Sequence, residues 1–194
     1  MALVLNSGPA VEPVSTTEAK AHCRIDISDD DTLVGALIKA GREYMEQRCR
    51  RAFVSQTWDL FLDDWPEGDE IKIPLPPLQS VTGVYYIDSD GATATFGTAN
   101  YLVDTNRQPG RIVLKGAAGW PSTTLRESSG VQVRFTAGYG SAGSTVPQPL
   151  RQAVLMLVGH WYENREAIAM TGAVPKEVPF AVDALSWPYR VLEF

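Results

Sequence analysis

The run from Gln152 to Glu166 predicts an α-helix that is apolar around nearly its whole circumference. A helix of this kind needs packing partners on every side, and one small domain seldom covers both of its faces. We therefore expect the side chains that do not reach the subunit's own core to contact another copy of the chain. In the predicted terminal helix, from Pro149 to about Ala167, these interface candidates are Leu155, Met156 and Tyr162.

Composition narrows the class of protein. The 194 residues suit one domain, or one domain with an insertion. Hydrophobic content of 44% and charged content of 21% exclude a disordered or collagen-like chain. The net charge of -6 and the dispersed Lys and Arg residues argue against specific nucleic-acid binding, because no basic stripe is present. We expect neither export nor membrane anchoring, since the chain has no cationic start and no apolar run of membrane-spanning length.

The first third of the chain predicts two helices. Ser15 and Glu18 have the spacing of a capping box, which opens a short helix from Thr16 to about Arg24. The acidic cluster at residues 28–31 opens a longer helix, because carboxylates at a helix N-terminus complement its dipole. The apolar positions of that amphipathic helix recur at intervals of three and four. They are Leu33, Leu37, Ile38, Ala40, Tyr44, Met45 and Cys49.

From Gln56 onward the apolar period changes to two, which is typical of half-buried strands. About seven short strands are predicted before residue 137, with prolines after Ile73 confining that segment to a sheet edge or a strand exit. The predicted fold class is α+β. Residues 1–54 and 145–194 form a small helical bundle of two N-terminal helices and a long C-terminal helix, with an extended C-terminal tail. Residues 55–144 form an inserted antiparallel β-sheet domain.

The tail from Gly172 to Phe194 is poor in charge and rich in apolar side chains. Left in water it would form a large apolar patch, and such patches usually dock onto something. Two outcomes stay open: the tail folds back on its own subunit, or it reaches a neighbour or another protein. The residues expected to anchor it to a partner are Phe180, Trp187, Tyr189 and Phe194.

No segment predicts catalysis or a cofactor. Cys23 and Cys49 lack the spacing of a disulfide or metal site, and we interpret them as inert thiols in a reducing compartment. The acidic group at residues 63–70 lacks a histidine or basic partner, which favours solvated loop charge over a hydrolase site. Residues 88–91 favour a tight turn over a calcium loop, because the closing glutamate is missing. We predict no catalytic residue, metal ligand or cofactor-binding residue.

Several short motifs follow one another in a characteristic order. They are Glu12-Pro13-Val14-Ser15, Glu18-Ala19-Lys20, Asp30-Asp31, Arg51-Ala52, Gln56-Thr57-Trp58, Pro77-Leu78-Gln79-Ser80-Val81, Phe135-Thr136-Ala137-Gly138-Tyr139-Gly140 and Trp161-Tyr162-Glu163-Asn164-Arg165-Glu166. From about residue 10 to residue 190, this series resembles the head-to-tail connector, or adaptor, family of tailed phages. Prophages and gene transfer agents carry such proteins.

The resemblance implies a structural function without catalysis. Members form a ring, usually of twelve copies, that docks beneath the portal of a filled head, extends the DNA channel and joins head to tail. The implied partners are other copies of the chain, the portal protein and a stopper or tail-proximal connector. DNA passes without specific binding, and no membrane is involved. The implied location is the head–tail interface of the virion, after assembly in the bacterial cytoplasm. The strands would be an insertion relative to the smallest members.

Two features of the sequence fit the ring that the resemblance implies. An apolar helix shared between copies suits a closed ring of heterologous contacts. A charge of -6 repeated around a ring would give a weakly repelling wall, past which DNA can slide.

Two other classes of function remain open. One is a phage-particle enzyme acting on DNA or cell wall, which would need a convergent polar pocket. The other is a β-sheet module that binds a host surface, which would keep its terminal helix and tail within one subunit.

Overall fold

The computed structural model describes residues 1–164 and 180–192, and in these it is a mixed α+β structure, as predicted. Both of its sheets are antiparallel. The helices are α1 (Thr16–Cys23), α2 (Asp31–Cys49), α3 (Gln148–Glu163) and α4 (Phe180–Ser186). The strands are β1 (Ala2–Ser7), β2 (Gln56–Leu62), β3 (Glu70–Ile73), β4 (Leu78–Ile87), β5 (Thr93–Phe96), β6 (Tyr101–Asp104), β7 (Gly110–Leu114) and β8 (Val131–Ala137).

The chain divides into two compact units. The sheet unit comprises residues 1–10 and 55–139, and the helical unit comprises residues 11–54 and the chain from residue 140 onward. The predicted helical segment 1–54 is therefore wrong for its first ten residues. They belong to the sheet unit because β1 pairs along β2, with Leu3 opposite Leu60 and Val4 opposite Asp59.

The sheet unit contains a five-stranded sheet of order β1-β2-β8-β4-β5 and a three-stranded sheet of order β3-β7-β6. The central strand β8 alternates strictly between buried and half-buried residues, which is the period-two pattern visible in the sequence. β1 lacks that pattern, since five of its six residues are exposed. This is why sequence reasoning missed β1 and found the other seven strands.

An ion pair between a buried carboxylate and a partly exposed arginine joins β2 to β8. Asp59 is 5% exposed. Its two carboxylate oxygens accept from Nε and Nη2 of Arg134 at 2.8 and 2.9 Å. Asn6 of β1 donates to the same carboxylate at 3.1 Å. These hydrogen bonds hold the pKa of Asp59 below its usual range, and the largest effect comes from Arg134.

The sheet unit also contains a cluster of aromatic rings. Trp65 follows β2 and stacks on Trp120 with ring centroids 4.9 Å apart and planes within 9°. Phe96 of β5 lies against both indoles, and Tyr101 of β6 stacks on Phe96. The acidic loop predicted as solvated charge thus contributes Trp65 to this cluster.

Local signals explain the boundaries of the helices. The capping box of α1 is present: Ser15 Oγ accepts from the Glu18 backbone N–H at 3.1 Å, and the Glu18 carboxylate accepts from the Ser15 N–H at 2.8 Å. Arg24 and Arg50 adopt left-handed conformations, with φ of 56° and 53°, and end α1 and α2. The predicted continuation of the terminal helix to about Ala167 lies outside the described residues.

The C-terminal tail contains a helix where the sequence predicted an extended segment. Residues Phe180–Ser186 form α4, followed by a 3₁₀ turn at Trp187–Tyr189. In the part of the chain that the structure describes, no helix combines the length and apolarity needed to cross a membrane.

Because of the Asp59–Arg134 pair, we expect the free energy of unfolding to depend on pH. Because the folded-state pKa of Asp59 is lowered, its contribution is present above its unfolded pKa of about 4 and is lost as the pH falls through the folded value. Asp59→Asn should lower the free energy of unfolding by about 2 kcal/mol at pH 7. This deficit should shrink below about pH 4, as measured by urea denaturation across pH. The matched control is Asp90→Asn, in an exposed turn; an equal loss there would contradict the assignment.

Candidate assembly surface

The terminal helix α3 is largely covered within its own unit. It packs against α1, α2 and α4, and its buried stripe is fully inaccessible to solvent. At Gly41 of α2 the two helices approach closely: a Cβ atom there would lie 3.4 Å from the Val154 side chain. The stripe consists of Leu150, Ala153, Val154, Leu157 and Val158.

The three side chains predicted as ring contacts lie outside that stripe. Leu155 and Met156 are half-buried, so part of each remains accessible. Tyr162 is also half-buried, and its hydroxyl donates to Asp30, the residue preceding α2. Tyr162 therefore has a bond inside the unit, which fixes the last turn of α3 near the start of α2.

The tail is fastened to the C-terminal end of α2. Asp183 of α4 pairs with Arg48, and the Tyr189 carbonyl accepts from Arg51 Nε. The Val191 backbone N–H donates to the Cys49 carbonyl at 3.0 Å. These bonds hold the described tail along its length.

Burial divides the tail into an inner and an outer side. Val182 and Ser186 are fully buried. Phe180 is 86% exposed and Trp187 is 62% exposed. Seven residues correspond to about two helical turns, so Phe180 and Trp187 project to the same side of the tail. The Arg190 guanidinium lies 5.0 Å from the Trp187 ring. We call the exposed side chains of Phe180 and Trp187 the tail surface.

The other two predicted anchors have different settings. Tyr189 is half-buried, and its backbone carbonyl is engaged by Arg51. Phe194 lies outside the described residues. Leu192, which sequence reasoning did not select, is 54% exposed.

A buried arginine, Arg42, lies in α2, the helix whose C-terminal end holds the tail. Arg42 is 4% exposed. Its Nε donates to Glu12 and its Nη1 to Glu46, each at 2.7 Å. Burial disfavours the charged guanidinium, but these carboxylates outweigh it and raise the pKa of Arg42. Glu46 also accepts from the Phe53 backbone N–H at 2.7 Å. The network thus fixes the segment before α1 and the segment after α2.

The remaining candidate groups have structural surroundings. Burial raises the pKa of the Cys49 thiol to about 11, and it also raises the pKa of Cys23, so neither is an activated nucleophile. Glu70 of the acidic loop region pairs with Arg111 at 2.7 Å. Among residues 1–164 and 180–192, no group of three His, Cys, Asp or Glu side chains is placed to hold a metal ion.

Comparison with known proteins matches this chain to one family model and to chains of gene transfer agent (GTA) particles. The model of the family described as "HCP: Head completion protein" matches residues 13–174. A chain from "Neck of empty GTA particle computed with C6 symmetry" is 27% identical, with a TM-score of 0.81 over 100% of this chain and 97% of that chain. One from "Virion of native gene transfer agent (GTA) particle" is 26% identical, with a TM-score of 0.83 over 100% and 97% of the two chains.

A third structure, "Neck of native GTA particle computed with C12 symmetry", contains a chain of 26% identity with a TM-score of 0.74. That alignment covers 98% of this chain and 97% of the other. A search of curated proteins found no match. The structural likeness therefore extends over almost the whole length of each chain.

The Arg42 network predicts a large effect from a conservative substitution. Arg42→Lys keeps the positive charge but cannot bond Glu12 and Glu46 together, because a lysine lacks the planar fork of the guanidinium. We expect the free energy of unfolding to fall by about 3 kcal/mol, as measured by chemical denaturation. Lys39→Arg, on the exposed side of α2, is the control and should be nearly neutral. A similar small change in both variants would contradict the role of Arg42.

Proposed function

Because this chain belongs to the head completion protein family, we propose that it forms a ring below the portal of a phage-like particle, extends the DNA channel and joins head to tail. The coarser part follows from the family and from the neck structures: the chain is a structural connector of the neck, at the head–tail interface of the virion. The ring, its copy number and its contacts are the finer parts of the proposal.

The symmetries of the similar structures support a ring of twelve copies. One neck was computed with C6 symmetry and another with C12 symmetry. A ring of twelve satisfies both, since twelve is a multiple of six. Cyclic symmetry requires each copy to offer two different surfaces to its neighbours. Leu155 and Met156 are candidates for one such surface, because they remain partly accessible beside a fully buried stripe.

The proposed portal contact rests on the exposed tail surface. Phe180 and Trp187 are exposed although the tail that bears them is held by several bonds. Because the tail is already held, binding would order only these two side chains, and aromatic residues supply the kind of anchor that dominates interface energetics. We therefore assign Phe180 and Trp187 to contact with the portal, while Tyr189 supports them from a half-buried position.

The proposed function requires no chemistry from the chain. Its partners are other copies, the portal and a stopper or tail-proximal connector, while DNA passes through the ring. The net charge of -6 supports a channel wall that does not grip phosphates, because a basic wall would release counterions and hold the DNA.

Removal of the tail surface tests the portal contact. The double variant Phe180→Ala/Trp187→Ala should weaken binding to the purified portal at least tenfold, or by more than about 1.4 kcal/mol. Its free energy of unfolding should change by only about 0.5 kcal/mol, because both side chains are exposed. Binding is measured by biolayer interferometry and unfolding by denaturant titration.

Ile27→Ala provides the matched control, since Ile27 is an apolar side chain with 56% exposure in the α1–α2 connection. Portal affinity should be unchanged in that variant. Unchanged affinity of the double variant would remove the tail surface from the portal contact.

A further inference from the structure

Two edge strands of the sheet unit have no strand on their outer side. β1 is the first strand of the five-stranded sheet, and β6 is the last strand of the three-stranded sheet. The outer edge of such a strand presents backbone N–H and C=O groups that no neighbouring strand satisfies. Those groups can pair with a strand of another molecule.

Each of the two strands exposes apolar side chains on both of its faces. Val4 and Leu5 of β1 are 50% and 46% exposed. Leu102 and Val103 of β6 are 56% and 36% exposed. Successive residues of a strand point to opposite faces, so each pair exposes apolar surface on both sides of its strand. A strand paired along this edge would place its own side chains beside these residues on both faces.

Neither strand carries an unpaired charge or a proline, and the one register irregularity of β1, between Leu5 and Ser7, leaves Ala2–Leu5 in regular register with β2. Natural edge strands are commonly blocked by lysine, by proline or by an inward-pointing charge. β1 contains no charged residue and no proline. The single charge of β6, Asp104, accepts from Arg111 Nε at 3.1 Å, so pairing would not bury an unpartnered carboxylate.

The other two edges of the sheet unit differ. β3 carries the exposed Lys72, which opposes association. β5 exposes Thr93 and Thr95, which water can solvate, while its one large apolar residue, Phe96, is 5% exposed. Only β1 and β6, among these four edges, combine exposed large apolar side chains with a strand that lacks lysine and proline.

We propose that β1 of one copy pairs with β6 of the adjacent copy, so that β structure continues across the subunit boundary. The occupant is a second copy because one chain supplies both compatible edges, and a ring requires two different surfaces on every copy. This proposal rests on the proposed ring and gives the sheet unit a function within it.

Cross-linking tests the pairing in the assembled protein. The full-length variant Val4→Cys/Leu102→Cys is assembled on the portal and treated with a short bifunctional maleimide. Cross-strand neighbours lie roughly 5–8 Å apart, so the reagent tolerates a small shift in register. We expect covalent oligomers extending beyond the dimer, at least tenfold more abundant than with wild-type chain, whose Cys23 and Cys49 report the background.

The single-cysteine variants separate this arrangement from other pairings. Neither Val4→Cys nor Leu102→Cys should give more product than wild type. More dimer from Val4→Cys alone than from wild type would place Val4 beside a part of the neighbouring copy other than Leu102 and would overturn the proposal. A wild-type chain that forms a ring, together with a double variant that does not cross-link, would overturn the strand pairing and leave the ring intact. A wild-type chain that forms no ring on the portal would overturn both.

Introducing a lysine into β6 tests the pairing independently of cross-linking. Leu102→Lys, at an exposed position, should fold normally but reduce ring formation on the portal at least tenfold, as counted by mass photometry. Thr95→Lys, on the exposed edge of β5, is the matched control and should assemble like wild type. Equal assembly of the two variants would contradict the proposal.

Discussion

Arg42 lies inside the helical unit with 4% of its surface exposed, and its guanidinium bonds the carboxylates of Glu12 and Glu46. A buried cation is tolerable only when its donors are satisfied, so Glu12 and Glu46 are held in fixed positions. Glu46 in turn accepts from Phe53 beyond the end of α2. One side chain thus fixes the segment before α1 and the segment after α2, and the end of α2 between them is where Arg48 and Arg51 hold the tail. Arg48 and Arg51, which hold the tail, therefore lie between two residues, Glu46 and Phe53, that this network joins.

The described part of the apolar C-terminal third is only partly buried within one copy of the chain. α3 buries its main stripe against α1, α2 and α4, and Val182 closes part of the tail against its own unit. Phe180 and Trp187 stay exposed, as do Val4 and Leu102 in the sheet unit. A connector needs this combination. Its subunit must fold before assembly, which requires an internal core, and it must then offer separate surfaces to the portal and to its neighbours.

Sequence reasoning succeeded where a local pattern fixes the structure. The spacing of Ser15 and Glu18 predicted a capping box, and the period-two alternation predicted seven strands, because each signal arises within a few residues. It failed for β1, whose residues lack alternation because neither face of the strand is buried. It also missed α4 and the burial of Arg42, since both depend on partners distant in the chain: Asp183 pairs with Arg48 across 135 positions, and Arg42 with Glu12 across 30. Of the predicted anchors, Phe180 and Trp187 lie exposed, Tyr189 is half-buried, and Phe194 lies outside the described residues.

We propose that surface left exposed on the isolated chain is covered by other molecules in the particle. A cryo-EM reconstruction of the neck containing this chain and its portal measures that directly. We expect Phe180 and Trp187 to lose nearly all of their exposed surface against the portal, and Val4 and Leu102 to lose theirs between adjacent copies. A neck in which these four side chains remain as exposed as in the single chain would contradict it.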